Sequence, residues 1–325
     1  MKELPKPRLR LGGTLMDMAR QMPLLVSAFL APLVAGCEEA AHAIADAGNS
    51  VDGSPGGCEP EFGRAWVFTQ LAILPEGEGM DLSGDGVPDN VLGRLAPAAN
   101  PKYEEGIASG KYIYLIEVPQ WQAGTSPGQI VQLDDIDLVF YRGRDADEPA
   151  DATDNTGGDG KFRAYAEQFD VNCNATSGYD AVRLQGNNVT AHSTSWSFVI
   201  PWTGTLEFRN FTIGVEFQDE LMGFAGTAGG AWTICGMSNA PFPPGGSYLQ
   251  AMANMFYISP DIDVDGDGIE QIVGDGNTIK ECIDGDGKTT YPGPDCGCLP
   301  QMADGFSVGF AVKGVPAWIV GVAAE

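Results

Sequence analysis

Apolar residues in this chain gather in short runs that alternate with polar positions, and glycine, proline and acidic residues separate the runs. The run Trp66-Val67-Phe68-Thr69-Gln70-Leu71-Ala72-Ile73-Leu74 predicts a first strand, because aromatic and β-branched side chains suit a pleated, half-buried surface. Residues 111–118 and 130–141 predict two more, the second centred on Ile136-Asp137-Leu138-Val139-Phe140-Tyr141. Alternation over 162–169 predicts another, and further strands are expected at 179–184, 195–200, 206–213, 215–217, 306–313 and 317–322. Helical signal is sparse. Residues 90–108 read as short helical turns broken by Pro97, Pro101 and Gly106, and 247–256 as the one helix of the second half. The glycine-rich stretch 223–236 reads as loop-like.

Many short strands, frequent turns and few helices predict a mainly β protein, an antiparallel β-sandwich of jelly-roll-like kind with ion-binding loops. No βαβ alternation points to a parallel sheet. The expected organisation is a signal segment over 1–36, a flexible tether over 37–62 and a β-rich domain over 63–325. That domain carries Asp/Gly loops at 81–90 and 261–268 and a cysteine-rich turn at 282–298.

Charge narrows the partners. The chain of 325 residues carries a formal charge of −26, and its first 36 residues hold five basic and two acidic side chains, so their removal leaves −29. Such a surface repels nucleic acid and anionic lipid and favours divalent cations or basic partners; adaptation to high salt is a rival cause of the same acidity.

The N-terminus has the form of an export signal. Lys2, Lys6, Arg8, Arg10 and Arg20 precede an uncharged stretch over 23–36, too short for a membrane-spanning helix but suited to a signal-peptide core. It ends in Leu33-Val34-Ala35-Gly36-Cys37. This resembles the bacterial lipobox, which implies cleavage before Cys37, a lipid on that cysteine and attachment to a membrane through the anchor alone. The implied location is the outer membrane or surface of a Gram-negative cell. An ordinary secretory signal with an incidental cysteine is the plain alternative. Cys58, Cys173, Cys235, Cys282, Cys296 and Cys298 remain, an even number that in an exported protein predicts three disulfides of open connectivity. A zinc site is the other use of cysteine, but no CxxC pair or nearby histidine supports it.

Two acidic loops carry the candidate chemistry. Asp81-Leu82-Ser83-Gly84-Asp85-Gly86-Val87-Pro88-Asp89-Asn90 and Asp261-Ile262-Asp263-Val264-Asp265-Gly266-Asp267-Gly268 place carboxylates at alternate positions with glycine at the turns. That spacing wraps oxygen ligands round a hard cation, so Ca²⁺ is the expected ion. In the first loop the candidate ligands are Asp81, Ser83, Asp85, the Val87 carbonyl and Asp89. In the second they are Asp261, Asp263, Asp265, Asp267 and the Ile269 carbonyl. Both loops resemble EF-hand loops and thrombospondin type 3 repeats over about ten residues, a resemblance that implies an ion and a structural role but no activity. Neither has the bidentate glutamate of an EF-hand; Leu92 and Gly274 stand at that position. Acidic turns that bind nothing are the bland alternative. The same choice applies to the polar loop with Asp145, Asp147, Glu148, Asp151, Asp154 and Asp159: a solvated loop, or a third cation site.

Catalytic signals are weak. Gly124-Thr125-Ser126-Pro127-Gly128 matches G-x-S-x-G, but proline follows the serine where a helix should start. His192 is the one histidine of the expected domain, and the many carboxylates make no particular pair informative. Trp66, Trp196, Trp202 and Trp318 sit in or beside apolar strands and read as core, whereas Trp121 and Trp232 read as exposed platforms for a glycan. Taken whole, the chain resembles exported bacterial lipoproteins with DxDGDG loops. The expected role is structural or interactive, through a glycan or protein partner, with a carbohydrate-binding or carbohydrate-cleaving module as the second reading.

Overall fold

A computed structural model describes residues 60–121, 136–147, 150–179, 181–200, 204–218, 222–240, 242, 247–258, 260–264, 282–283, 289–290 and 305–323. Strand β1 (Arg64–Ile73) leads through a loop and a 3-10 turn (Val91–Leu95) into helix α1 (Ala96–Ala108). Then come β2 (Ile113–Val118), β3 (Val139–Asp145), β4 (Lys161–Tyr165), β5 (Ala181–Gln185), β6 (Asn188–Ile200), β7 (Gly204–Phe217) and β8 (Phe224–Thr233). Short helices α2 (Ile234–Asn239) and α3 (Tyr248–Ala251) follow, with a π turn at Met252–Phe256, the two-residue strands β9 (Cys282–Ile283) and β10 (Thr289–Thr290), and β11 (Gly305–Ala323).

Nine strands form one mixed sheet in the order β1-β2-β3-β4-β11-β8-β7-β6-β5, and β1 also pairs with β11. Five strands therefore close into a ring, β1-β2-β3-β4-β11. All pairings in the sheet are antiparallel except β4 with β11, which is parallel and departs from the purely antiparallel arrangement expected.

The long strand β11 organises the sheet. Its first half pairs with β8 from Gly305 to Gly314, its middle pairs with β1 from Phe310 to Ala317, and its end pairs with β4 from Trp318 to Ala323. Two strands, over 306–313 and 317–322, are expected from the sequence, and the structure joins them into one. Pro316 lies between the end of the β8 ladder and the start of the β4 ladder, which is where a strand tolerates a missing N–H.

Strict alternation on β1–β3 buries both faces. Ala65, Val67, Ile113, Leu115, Val139, Tyr141, Phe162, Ala164, Ala317 and Ile319 fill the ring interior. Trp66, Phe68, Tyr114, Ile116 and Phe140 face the other way and pack with side chains of β6, β7, β8 and β11. That second cluster is aromatic: Phe140 meets Trp196 edge-on at 5.0 Å, Trp66 lies 4.6 Å from Phe217, and Trp196 stacks on Phe211 at 4.1 Å. Aromatic pairs in these geometries add about 0.5–1.5 kcal/mol each beyond their buried area.

Two local expectations are corrected. Residues 96–108 form one continuous helix: Pro97 sits in the first turn, where its absent N–H has no partner to lose, and Pro101 is carried inside the helix. Residues 224–233 form a strand rather than a loop. Glycine is required there by close approach, since a Cβ on Gly226 would stand 2.0 Å from the Gly214 carbonyl on β7. Among the described residues no helix is long and apolar enough to cross a membrane.

Candidate functional site

The first acidic loop hangs between β1 and the 3-10 turn. Its ends are joined by an antiparallel bridge from Met80 to Asp89, with Asp89 N–H donating to the Met80 carbonyl at 2.8 Å. Gly84 and Gly86 have φ of +80° and +88°, and a Cβ on either would touch nothing, so the backbone angle alone selects glycine. Their turns aim amides inward. Asp81 Oδ1 accepts from Gly84 N at 2.6 Å and Asp85 N at 3.1 Å, and Oδ2 from Gly86 N at 2.8 Å. Asp89 Oδ2 accepts from Leu82 N at 2.7 Å and Ser83 N at 2.8 Å, and Asp85 Oδ1 from Val87 N at 2.7 Å. Asp85 Oδ2 and Asp89 Oδ1 have no protein donor among the described residues.

The loop's last residue locks it to the sheet. Asn90 is 3% exposed. Its Nδ2 donates to the carbonyls of Leu74 (2.8 Å), Pro75 (3.0 Å) and Glu78 (2.9 Å), and its Oδ1 accepts from Gly309 N of β11 at 3.0 Å. Two residues along β11, Ser307 is fully buried. Its hydroxyl accepts from Val91 N at 2.7 Å and donates to Asp261, and its N–H donates to the other Asp261 oxygen at 2.8 Å. Ile262 bridges to Gly305 beside it. The exit of the first loop and the entry of the second, distant in sequence, thus meet on β11. Burial pushes the Asp261 carboxyl above its ordinary range, and the negative Asp89 nearby pushes the same way; the Ser307 donors oppose them.

The candidate ligands are therefore distributed unevenly. Asp81, Ser83, Asp85, Val87 and Asp89 share one loop. Asp261 is a clamp to Ser307, and Asp263 is exposed. Asp265, Asp267 and Ile269 lie outside the described residues. Among the described residues no group of three His, Cys, Asp or Glu side chains is arranged to hold a metal ion. The reason in the first loop is visible: the Asp81 oxygens are turned onto backbone amides.

The third acidic loop joins β3 to β4. Asp145 accepts from Asp147 N at 2.9 Å and Asp151 N at 3.0 Å. Asp154 is pushed up by desolvation, then by its hydrogen bond to the Asp147 carboxyl and that group's charge.

Sequence reasoning missed Asn90 and Ser307 as anchors. Neither has a chemical signature, because a lone Asn or Ser is polar punctuation until the fold buries it. It also missed Glu117 on β2, which is 1% exposed. Glu117 accepts from Gly63 N–H and the Tyr141 hydroxyl, and burial pushes its carboxyl up against those donors. Trp121 and Trp232 are corrected as platforms: they are 2% and 6% exposed. The turn after β2 brings Trp121 back against Trp66 and Phe217, with its carbonyl accepting from Arg64 N at 2.6 Å. Trp232 packs on Phe208 and Tyr248. Trp318, expected in the core, is 42% exposed.

His192 is half-buried, with Nδ1 3.0 Å from Thr212 Oγ1. Residues 124–128 lie outside the described residues, as do Cys37, Cys58, Cys296, Cys298, Trp202 and the side chains of Cys235 and Cys282. Cys173, at φ +69° in a tight turn capped by Asp170, is engaged in a disulfide. No protein family, curated protein or solved structure matches the chain.

Proposed function

We propose that this chain is an exported protein, lipid-anchored at Cys37 to the surface or outer membrane of a Gram-negative cell, whose β-domain is stabilised by calcium and serves a structural or interaction role. One observation carries the calcium part: both Asp/Gly loops feed into the same stretch of β11, through Asn90–Gly309 and Asp261–Ser307. Ordering either loop then ties down a strand that holds β1, β4 and β8 together. The first loop supplies uncommitted oxygens on Asp85 and Asp89, plus the Val87 carbonyl, on an exposed turn open to the ion. Calcium would draw these to itself and relieve the mutual repulsion of the acids.

In this reading the nine-stranded sheet is folded as a sandwich, with β1–β3 laid against β6–β8 over the aromatic cluster. The cysteines left after lipidation form three disulfides that suit an oxidising compartment. No residue is assigned a catalytic role. Isothermal titration with calcium, on the chain and on the Asp85→Asn/Asp89→Asn variant, tests the binding. Heat in the parent and its loss in the variant are expected; no calcium-dependent heat in the parent would overturn the reading.

The carbohydrate-binding reading survives on different residues. It loses Trp121 and Trp232 to the core and gains Trp318.

A further inference from the structure

Where β3, β4 and β11 run side by side, the outer face of the ring carries residues that neither the core nor the acidic loops require. Phe162 and Ala164 of β4 fill the ring interior, so Lys161 and Arg163 project outward. The same alternation turns Arg144 outward on β3, because Gly143 lies on the inner side with Tyr141 and Val139. Register sets these residues together. Arg144 stands directly opposite Arg163, and Lys161 directly opposite Trp318. Arg144, Lys161 and Arg163 are exposed. Trp318 is 42% exposed and Val320, further along β11, 51%.

Like charges directly opposite on neighbouring strands destabilise a sheet. The Arg144–Arg163 pair is such a contact, and among the described residues none of Arg144, Lys161 and Arg163 has an ion-pair partner. This occurs in a chain with 44 acidic and 18 basic side chains, where carboxylates to pair them are abundant. An indole 42% exposed, with the Arg64 guanidinium 6.0 Å from its ring centroid, stands beside three cations that have no ion-pair partner among the described residues, an arrangement that an anionic ligand would stabilise.

The fold restricts what that ligand is. β4 has neighbours on both sides, so no peptide strand can add to its backbone here, and recognition passes through side chains alone. Among the described residues the exposed large apolar ones on this face are Trp318 and Val320, too few for the buried centre of a protein interface. Neighbouring strands lie about 4.8 Å apart and alternate residues about 7 Å apart, so the cations form a short row beside one flat ring. A slender polymer with regularly spaced carboxylates matches that row. The acidic β3–β4 loop begins beside this row, where Asp145 is turned onto the loop's own amides, Asp147 N and Asp151 N; beyond about 8 Å at physiological ionic strength the acidity of the rest of the chain is screened. Nucleic acid, with its denser charge, is repelled more, and among the described residues of this face Trp318 is the one exposed aromatic, with Tyr165 half-buried.

We propose that this face binds a linear polysaccharide of uronic acids, with a sugar ring laid on Trp318 and carboxylates held by Lys161, Arg163 and Arg144. This gives the interaction role of the preceding reading a surface and a ligand class. It rests on that part of the reading and not on calcium.

The test is retention of the full chain on immobilised polygalacturonate, with fully methyl-esterified polymer and single-stranded DNA as parallel surfaces and calcium held constant. Trp318→Ala should lower apparent affinity roughly ten-fold, the size of one lost stacking contact, and Arg144→Ser/Arg163→Ser roughly a hundred-fold, the size of two lost charge-assisted contacts. Trp318→Ala should keep the parent's melting temperature, Arg144→Ser/Arg163→Ser should match or exceed it because the like-charge pair is relieved, and both should keep the parent's calcium response. Calcium bridging through the acidic loops would leave the variants bound as tightly as the parent, and that result overturns the proposal. So do equal retention on the neutral ester, tighter retention on DNA, and no retention at all. An unchanged calcium response beside a failed retention separates this proposal's failure from that of the calcium reading.

Discussion

Ser307 donates both its backbone N–H and its hydroxyl to the two oxygens of Asp261, forty-six positions earlier in the chain. The same hydroxyl accepts from Val91 N–H, at the exit of the first acidic loop. One buried side chain on β11 therefore joins two segments that the sequence marks separately as Asp/Gly loops.

Ser307→Ala removes both hydroxyl contacts and leaves the Val91 N–H and one Asp261 oxygen without their partner. The expected loss is about 1–3 kcal/mol, read as a melting temperature several degrees lower. Arg94→Ala is the control. Arg94 pairs with Glu76 on the exposed surface, where an ion pair is worth little, and its loss should barely move the melt. Equal shifts in the two variants would deny Ser307 its anchoring role.

The strands most legible in the sequence were those with aromatic and branched alternation. The run over 66–74 became β1 and the run over 111–118 became β2 with the expected centres. The glycines of β8 hid a strand, because propensity counts Gly against a sheet while close packing of β7 on β8 demands it. Trp121 and Trp318 exchanged roles for a related reason. A loop context does not expose a residue when the turn folds it back, as Trp121 N–H to Val118 carbonyl at 3.0 Å does. A strand context does not by itself bury one, since Trp318 on the outer face of β11 stays 42% exposed. The acidic loops were legible as motifs from their spacing. Their meeting on β11 was not, because it is carried by Asn90 and Ser307 through long-range contacts that leave no local pattern.

Glu117 gives a pH prediction. Its folded carboxyl lies above the ordinary 4.5, with burial as the first cause. The sign follows from linkage: a raised carboxyl contributes stability that is fully present below about pH 4.5 and is lost as pH rises through the folded value. Glu117→Gln keeps an acceptor for Gly63 N–H and carries no charge to bury. The melting temperature of the variant minus that of the parent should therefore increase from pH 4 to pH 8. A difference that stays flat over that range would mean the carboxyl is not held up by its surroundings.

Lipid attachment is tested at Cys37. Cys37→Ala should abolish acyl labelling and release the chain from membranes, whereas unchanged labelling would contradict the anchor. In the same preparation, free-thiol counting on the denatured, unreduced chain should find no more than one thiol per molecule. A higher count would break the set formed by Cys58, Cys173, Cys235, Cys282, Cys296 and Cys298.

The central claim is that calcium ordering of the acidic loops stabilises the β-domain, and a melting curve in calcium against one in chelator tests it most directly. The incomplete ligand shells imply dissociation constants on the order of 10⁻⁴–10⁻³ M. Calcium at roughly 10 to 100 times such a constant stabilises by about 1.4–2.7 kcal/mol, a rise of several degrees for a domain of this size. Asp85→Ala and Asp265→Ala should each remove part of that rise, and magnesium at the same concentration should reproduce little of it, since it demands a smaller octahedral shell. Superimposable curves in calcium and chelator would contradict the account and leave the two loops as acidic turns.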